Sequence, residues 1–191
     1  MASLVLSGDT SGSITVAAPS VSGSNTQTLA AVTGTLAPIV SGTAVTASGT
    51  AVNFTGIPSW AKRITVMFSA VSTNGTSLIQ IQLGDSGGVE TTAYASSAWT
   101  ANTNNANSST GFIIHASNAS AARSWDGAYT LVLLDTNNNW VVTGTCISFN
   151  DNAQSIGAGR KQVSDTLTQV RITTVNGTDT FDAGTINILY E

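Results

Sequence analysis

RITVMFSAVSTNGTSLIQIQL, residues 63–83, is the stretch that decides the fold. Two runs rich in aliphatic and β-branched residues flank an Asn-Gly pair, which is the strongest short-range signal of a β-hairpin. In the second run, apolar residues occupy every second position up to Leu83, so they share one face of a strand. The stretch therefore predicts two antiparallel strands, each with a buried face.

The same pattern continues to the end of the chain. Short apolar runs alternate with turns rich in Gly, Asn and Asp, and helical periodicity is almost absent. Further strands are predicted at 111–115, 129–134, 140–149, 167–175 and 185–190. About eight strands at roughly ten-residue spacing are typical of two packed sheets. We therefore expect an all-β fold in which residues 51–191 form an antiparallel β-sandwich head, jelly-roll-like in its connections.

Residues 1–50 have a different composition, with no Lys, Arg, Glu, His, Cys or aromatic residue and with Asp9 as the one charged side chain. Short Thr/Val/Ala strands are predicted at 13–17, 26–29 and 34–37. As a monomeric globule, this segment would bury too little apolar area to offset its chain entropy. We expect an extended Gly/Ser/Thr-rich N-terminal β arm that is ordered by packing between copies of the chain; the alternative is a flexible arm.

Charged residues are scarce throughout, with six Lys and Arg and ten Asp and Glu in 191 residues. The basic residues form no cluster, which argues against nucleic acid as a partner because phosphate binding needs grouped Lys and Arg. A single His and a single Cys leave little material for a metal site, and no cofactor is expected. The lone Cys146 lies in an apolar strand and is expected to be a buried core residue.

The chain also lacks the sequence signals of membrane insertion and secretion. It has no run of 18 apolar residues, the length that suits a membrane-spanning helix. Its start has neither a basic segment nor a long apolar one, so no signal peptide is expected. We expect synthesis in a cytoplasm.

The segment GDSGG, residues 84–88, resembles the sequence around the nucleophile of trypsin-like proteases. That chemistry needs a His base and an orienting acid. His115 follows Ser86 in the chain, whereas trypsin-like proteases place the His first. We therefore interpret the segment as a turn after Leu83 and expect no catalytic residues. His115 ends an apolar strand, so we expect it to be partly buried and hydrogen-bonded, or to lie at a subunit contact.

Polar stretches supply the candidate partner or receptor surface. Trp60 and Trp140 adjoin strands and are expected in the core. Trp99 and Trp125 have polar neighbours, and for them subunit or core packing is favoured over contact with a glycan. The Asn-rich stretches 96–110 and 150–161 are predicted to be exposed loops. Asp and Asn in the turns match no calcium-loop spacing, and no metal site is assigned. The candidate surface residues are Trp99, Asn104, Asn105, Trp125, Asn152 and Arg160.

Two stretches resemble virion proteins of tailed bacteriophages. The first carries GSITV at 12–16, GSNTQTL at 23–29 and TGT at 33–35, and is similar to segments of phage fibre proteins. The second, VNFTGIPSWAKRITVMF at 52–68 with STNGTS at 72–77, is similar to a β-domain of phage tail-fibre and virion-surface proteins. The resemblance implies a non-enzymatic virion structural protein, usually a homotrimer, located on the virion surface after synthesis in the host bacterial cytoplasm.

Three functions follow as expectations from the resemblance and the composition. The first is a short trimeric tail fibre for host attachment, because long fibres carry a larger N-terminal anchor than residues 1–50 provide. Its partners are other copies of the chain, other virion proteins of the tail or capsid, and a host glycan or receptor. The alternative is a trimeric capsid decoration protein that staples capsid subunits. The third, from a different class, is a carbohydrate-binding module that uses Trp99 or Trp125.

Overall fold

Every regular element that the structure describes is a β-strand, and every strand pairing is antiparallel. The all-β class predicted from the sequence is therefore confirmed. No helix in this part of the chain has the length and apolar character that crossing a bilayer requires. The chain divides into two compact units, Met1–Leu36 and Ala37–Glu191. The computed structural model describes residues 3–7, 11–17, 38–102, 105–116, 120–150 and 152–191.

The first unit contains a two-stranded hairpin. Strand β1 (Ser3–Ser7) pairs with β2 (Ser13–Ala17) over five residue pairs, and the second strand coincides with the one predicted at 13–17. The strands predicted at 26–29 and 34–37 lie outside the described residues.

The second unit contains two sheets in the part of the chain that the structure describes. The large sheet has nine strands in the order β10-β9-β14-β13-β12-β6-β16-β3, with β4 also paired to β16. The small sheet has five, in the order β11-β7-β15-β5, with β8 paired to β7. The strands are β3 (Val40–Ser41), β4 (Val45–Thr46), β5 (Ala51–Thr55), β6 (Arg63–Thr73), β7 (Ile79–Asp85), β8 (Gly88–Val89), β9 (Ala95–Thr100), β10 (Ala106–Ser108), β11 (Phe112–Ile113), β12 (Trp125–Leu133), β13 (Asn139–Ser148), β14 (Ala153–Gln162), β15 (Gln169–Thr174) and β16 (Phe181–Tyr190).

Apolar side chains from both sheets form one buried cluster, as in a β-sandwich. Alternate residues of β6, such as Ile64 and Val66, supply the large sheet's share, and Ile81 and Ile172 belong to the small sheet. Cys146 is buried in this cluster, as predicted, and burial raises the pKa of its thiol to about 12. The jelly-roll connectivity stays a prediction.

Residues 40–50 pair with the last strand of the chain. Strands β3 and β4 form ladders with β16, and Gly49 bridges to Phe181. By composition these residues belong to the predicted arm, whereas their hydrogen bonds place them in the second unit, which begins at Ala37.

Two stretches that were predicted to be exposed loops are largely strands, so that prediction was wrong. Residues 96–110 contain most of β9 and all of β10, and residues 150–161 contain most of β14. Along β9 and β14, buried and exposed residues alternate, but the buried ones are small or polar. They include Ser96, Ala98, Ala153, Ser155 and Gly157.

One aromatic ring fills the space that these small residues leave. Tyr129 on β12 is paired with Gly144 on β13, which in turn is paired with Gly157 on β14. A Cβ atom at Gly157 would lie 2.5 Å from the Tyr129 hydroxyl, and one at Gly144 would overlap the ring itself. The ring therefore lies across two neighbouring strands at positions where only glycine leaves room.

Hydroxyl groups on the buried face hold the segment 112–116 against β9 and β14. The Tyr129 hydroxyl donates to the carbonyl of Ile114 at 3.0 Å, and the Ser155 hydroxyl lies 2.9 Å from the same oxygen. Ser96 Oγ accepts from the backbone N–H of Ile113, and Thr100 Oγ1 accepts from that of Ala116. Polar residues are stable on this buried face because each of these hydroxyls has a backbone partner.

We predict that Gly157→Ala destabilises the protein by about 1–3 kcal/mol, because the new methyl group overlaps the Tyr129 hydroxyl. In a Tyr129→Phe background, the same change is expected to cost at least 1 kcal/mol less, since the opposing oxygen is gone. Urea unfolding of the four proteins in this double-mutant cycle measures the coupling. Ala158→Ser, on the exposed side of the same strand, is the control and should stay within ~0.5 kcal/mol of the unchanged protein. Equal penalties in both backgrounds would contradict this packing.

Candidate functional site

The outer face of the large sheet carries a broad groove across β10, β9, β14 and β13. Two adjoining clefts, of about 880 Å³ and 440 Å³, share Ser97 and Ala158 as lining residues. Between the strands, backbone N–H and C=O groups are already paired in the ladders. The groove therefore offers mainly side chains to a partner. We call it the outer groove.

Large side chains stand at the ends of the outer groove, and small ones form its floor. Trp99 on β9 is 44% exposed and lies directly opposite Ile156 on β14. At the other end, Arg160 lies opposite Val141 on β13. Strand alternation explains the arrangement, because every second residue of β9 and β14 points away from the core.

The structure brings part of the predicted surface together. Trp99 and Arg160 both line the outer groove, although at different ends. Asn105, before β10, and Asn152, in the turn between β13 and β14, are both exposed. A hydrogen bond from Ala101 N–H to the Gln154 carbonyl ties the turn after β9 to the start of β14. Asn104 lies outside the described residues.

The structure removes one tryptophan from the candidate surface and one from the expected core. Trp125, the second aromatic of the candidate surface, is buried, and its ring stacks on His115 with centroids 4.2 Å apart. Core packing, one of the two placements favoured for Trp125 from the sequence, is therefore the one observed, and Trp125 is not part of an exposed surface. Trp60, expected in the core, is 40% exposed and packs against Tyr190. Trp140 is buried, as predicted.

His115 is a buried structural residue in this arrangement. Its Nε2 accepts the backbone N–H of Ile79 at 3.2 Å, which requires the neutral ring to carry its proton on Nδ1. Burial, with the charge of Arg123 as a second cause, lowers the pKa of His115 to about 3. The expected buried, hydrogen-bonded histidine is therefore confirmed.

Because the folded protein keeps His115 neutral while the unfolded chain protonates it below pH 6.5, stability should fall as the pH falls. Between pH 6.5 and 5 the free energy of unfolding should fall by an amount that approaches ~1.4 kcal/mol per pH unit. The fall continues until the pH reaches the pKa of His115 in the folded protein, which is about 3. Urea unfolding at several pH values measures it. His115→Gln, which retains an acceptor for Ile79 N–H, should flatten the profile in that window. His115 is the one histidine of the chain, so a variant with an unchanged slope would rule out this origin.

The GDSGG segment is a turn between β7 and β8 held by its acid. Asp85 is buried, and its Oδ1 accepts the Gly87 N–H at 2.7 Å while Oδ2 accepts the Ser164 hydroxyl at 2.6 Å. The Ser164 hydrogen bond is the main cause that lowers the pKa of Asp85, and the Gly87 N–H adds to it. Ser86 is exposed.

Ser86 and His115 do not form a catalytic pair. His115 contacts Ile79 at the start of β7, whereas Ser86 follows the last residue of that strand. A strand of this length separates its ends by about 20 Å, far beyond hydrogen-bond reach. The interpretation of GDSGG as a turn is therefore confirmed.

A buried ion pair near this turn was not predicted from the sequence. Lys161, buried on β14, pairs with Glu90, and its Nζ lies 5.4 Å from the centre of the Tyr94 ring. Burial raises the pKa of Glu90, but hydrogen bonds from Lys161 and Ser164 outweigh it and leave the pKa below its ordinary value. The two residues lie far apart in the sequence, so no local spacing could indicate the pair.

We predict opposite results for the two adjacent residues of the GDSGG turn. Asp85→Asn should destabilise the protein by about 1–3 kcal/mol at pH 7, because the amide cannot accept both hydrogen bonds. Ser86→Ala should stay within ~0.5 kcal/mol. The lowered pKa of Asp85 means that the difference between the Asn variant and the unchanged protein shrinks as the pH falls below 3.8. Thermal unfolding at pH 7 and at low pH measures both effects, and a larger loss for Ser86→Ala would contradict the assignment.

No protein-family model, curated protein or solved structure matches this chain. Among the residues that the structure describes, no three His, Cys, Asp or Glu side chains come together in an arrangement that could hold a metal ion. The outer groove and the exposed hairpin of the first unit are therefore the features on which a functional argument rests.

Proposed function

We propose that the protein is a non-enzymatic structural component on the surface of a tailed-bacteriophage virion, in the form of a short homotrimeric tail fibre that attaches to the host. The observation that carries the proposal is the hairpin β1–β2, in which the side chains of Val5, Leu6 and Val16 are each more than half exposed. The class of protein is inferred from the resemblance of residues 12–36 and 52–77 to phage virion proteins.

The hairpin exposes more apolar surface than a free hairpin sustains. Val5 and Leu6 are each 54% exposed and Val16 is 59% exposed. A two-stranded sheet is only marginally stable in water unless its apolar side chains are covered. Full burial of an aliphatic side chain contributes about 1.5–3 kcal/mol relative to full exposure, so covering three half-exposed ones adds a few kcal/mol per chain. Contacts between copies of the chain supply this cover.

The composition of residues 1–50 suits contacts with other copies and with further virion proteins. Asp9 is the one charged residue there, so packing these segments together desolvates few charges. Apolar contacts and strand pairing then hold the assembly, as in interfaces that form permanently.

The mass of the purified protein tests the assembly. Light scattering after size-exclusion chromatography should give three times the chain mass of 19.4 kDa. The double variant Leu6→Ser, Val16→Ser should dissociate into smaller species, because it removes the apolar cover. Leu134→Ser, which changes an equally exposed leucine (66%) in the second unit, is the matched control and should remain trimeric. A single-chain mass for the unchanged protein would overturn the proposal, as would equal dissociation of both variants.

The number of copies per virion distinguishes the two structural roles. A tail fibre is present in a few copies, whereas a capsid decoration protein, the alternative from the sequence, covers the shell in many. Quantitative gel analysis of purified virions measures this ratio. We expect the low copy number, and a count that approaches that of the major capsid protein would replace the fibre with the decoration role.

A further inference from the structure

We propose that the outer groove binds a chain of neutral sugars, with the Trp99 indole as its stacking platform. The inference rests on the proposed host-attachment function and names the chemical class of the receptor. It follows from the lining of the groove, which combines one exposed aromatic ring, several hydroxyl groups and almost no charge.

The aromatic end of the groove suits the apolar face of a sugar ring. Trp99 is 44% exposed although its backbone is paired with β14 in the sheet. Ile156 opposite it supports the ring on one side. An indole buries a large apolar area per contact and keeps a polar N–H for hydrogen bonding, so it serves a ligand that has both C–H faces and hydroxyls.

The floor supplies hydrogen-bonding groups in regular rows. Ser97 on β9, Ala158 on β14 and Thr143 on β13 lie opposite one another across the sheet, and Thr145 lies in the row beside Ile156. The Trp99–Ile156 row and the Ala95–Arg160 row lie four residues apart along the strands, which is about 13 Å at 3.3 Å per residue. This length accommodates several consecutive sugar rings between the two ends, with the hydroxyls of Ser97 and Thr143 in the row halfway along.

The charge of the lining favours a neutral ligand. Arg160, at the far end from Trp99, is the one charged residue among those that line the two clefts, and no carboxylate is present in that set. A polyanionic chain would need several cations along its length. A neutral chain needs only hydroxyl and amide partners, which Ser97, Thr143 and Asn107 provide.

The backbone pairing disfavours an extended peptide as occupant. A peptide that adds to a sheet uses the free N–H and C=O groups of an edge strand. The groove lies on the face of the sheet, where the ladders on both sides of β14 and β13 have already used those groups, and the edge strand β10 is only three residues long.

The test is an array of purified bacterial O-antigen and capsular polysaccharides, with neutral and acidic members, probed with the full-length protein. We expect binding to at least one neutral member and at least a ten-fold loss of affinity in Trp99→Ala. The matched control is Trp60→Ala, which removes a similarly exposed tryptophan (40%) from another part of the second unit and should bind normally. Absence of binding to every neutral member would overturn the inference, as would equal loss in both variants or binding to acidic members alone.

Two further measurements distinguish a lost sugar contact from poor folding and from a lost contact between copies of the chain. Thr143→Val with Thr145→Val removes two hydroxyls while preserving shape, so it should lower affinity even if Trp99→Ala folds poorly. Light scattering of Trp99→Ala reports whether the groove is instead a contact between copies, and a loss of the trimer in this variant would overturn the inference. If the protein is a trimer that binds no neutral polysaccharide, the sugar-binding inference fails and the proposed structural role stands. If it is a single chain that binds one, the proposed trimer fails and the sugar-binding inference stands.

Discussion

The contact between the Tyr129 ring and the glycines beside it determines how one half of the large sheet is built. The ring lies across Gly144 and Gly157, and its hydroxyl reaches the carbonyl of Ile114. One side chain thus supplies apolar volume for three strands and a hydrogen bond for the segment that covers them. Since a close-packed interior leaves no room for a further side chain there, these strands carry glycine where the ring crosses them, at Gly144 and Gly157.

The two faces of these strands have different roles. On the buried face, Ser96, Thr100 and Ser155 hydrogen-bond to the backbone of residues 112–116 or its neighbours, which fixes the sheet against that segment. On the outer face, the alternate residues contribute hydroxyls and the Trp99 ring to the groove. A rigid floor follows from the buried hydrogen bonds, and such rigidity reduces the entropic cost of binding at the opposite face.

The sequence predicted strands well where apolar side chains alternate, as in residues 63–83 and 129–149, and predicted them poorly at β9 and β14. The buried residues of these two strands have no hydrophobic signature of their own, because Tyr129 and Phe112 from other strands fill the space. For the candidate site, Trp99 and Arg160 were named because they lie in polar stretches predicted to be loops, whereas strand alternation is what places them on the outer groove. For Trp125 the sequence left core packing and a partner contact open, because its stacking on His115 is a tertiary contact that no local pattern encodes.

The contacts in the structure show how the chain uses its few charged side chains. Many of the few charged side chains serve the fold itself: Lys161 pairs with Glu90, Arg63 pairs with Glu191, and Asp85 holds the turn after β7. The surfaces left for partners are consequently rich in hydroxyl and aliphatic groups, both on the hairpin β1–β2 and in the outer groove. Recognition through such surfaces depends on shape, apolar burial and hydrogen bonds, and these terms are screened by salt far less than ion pairs are.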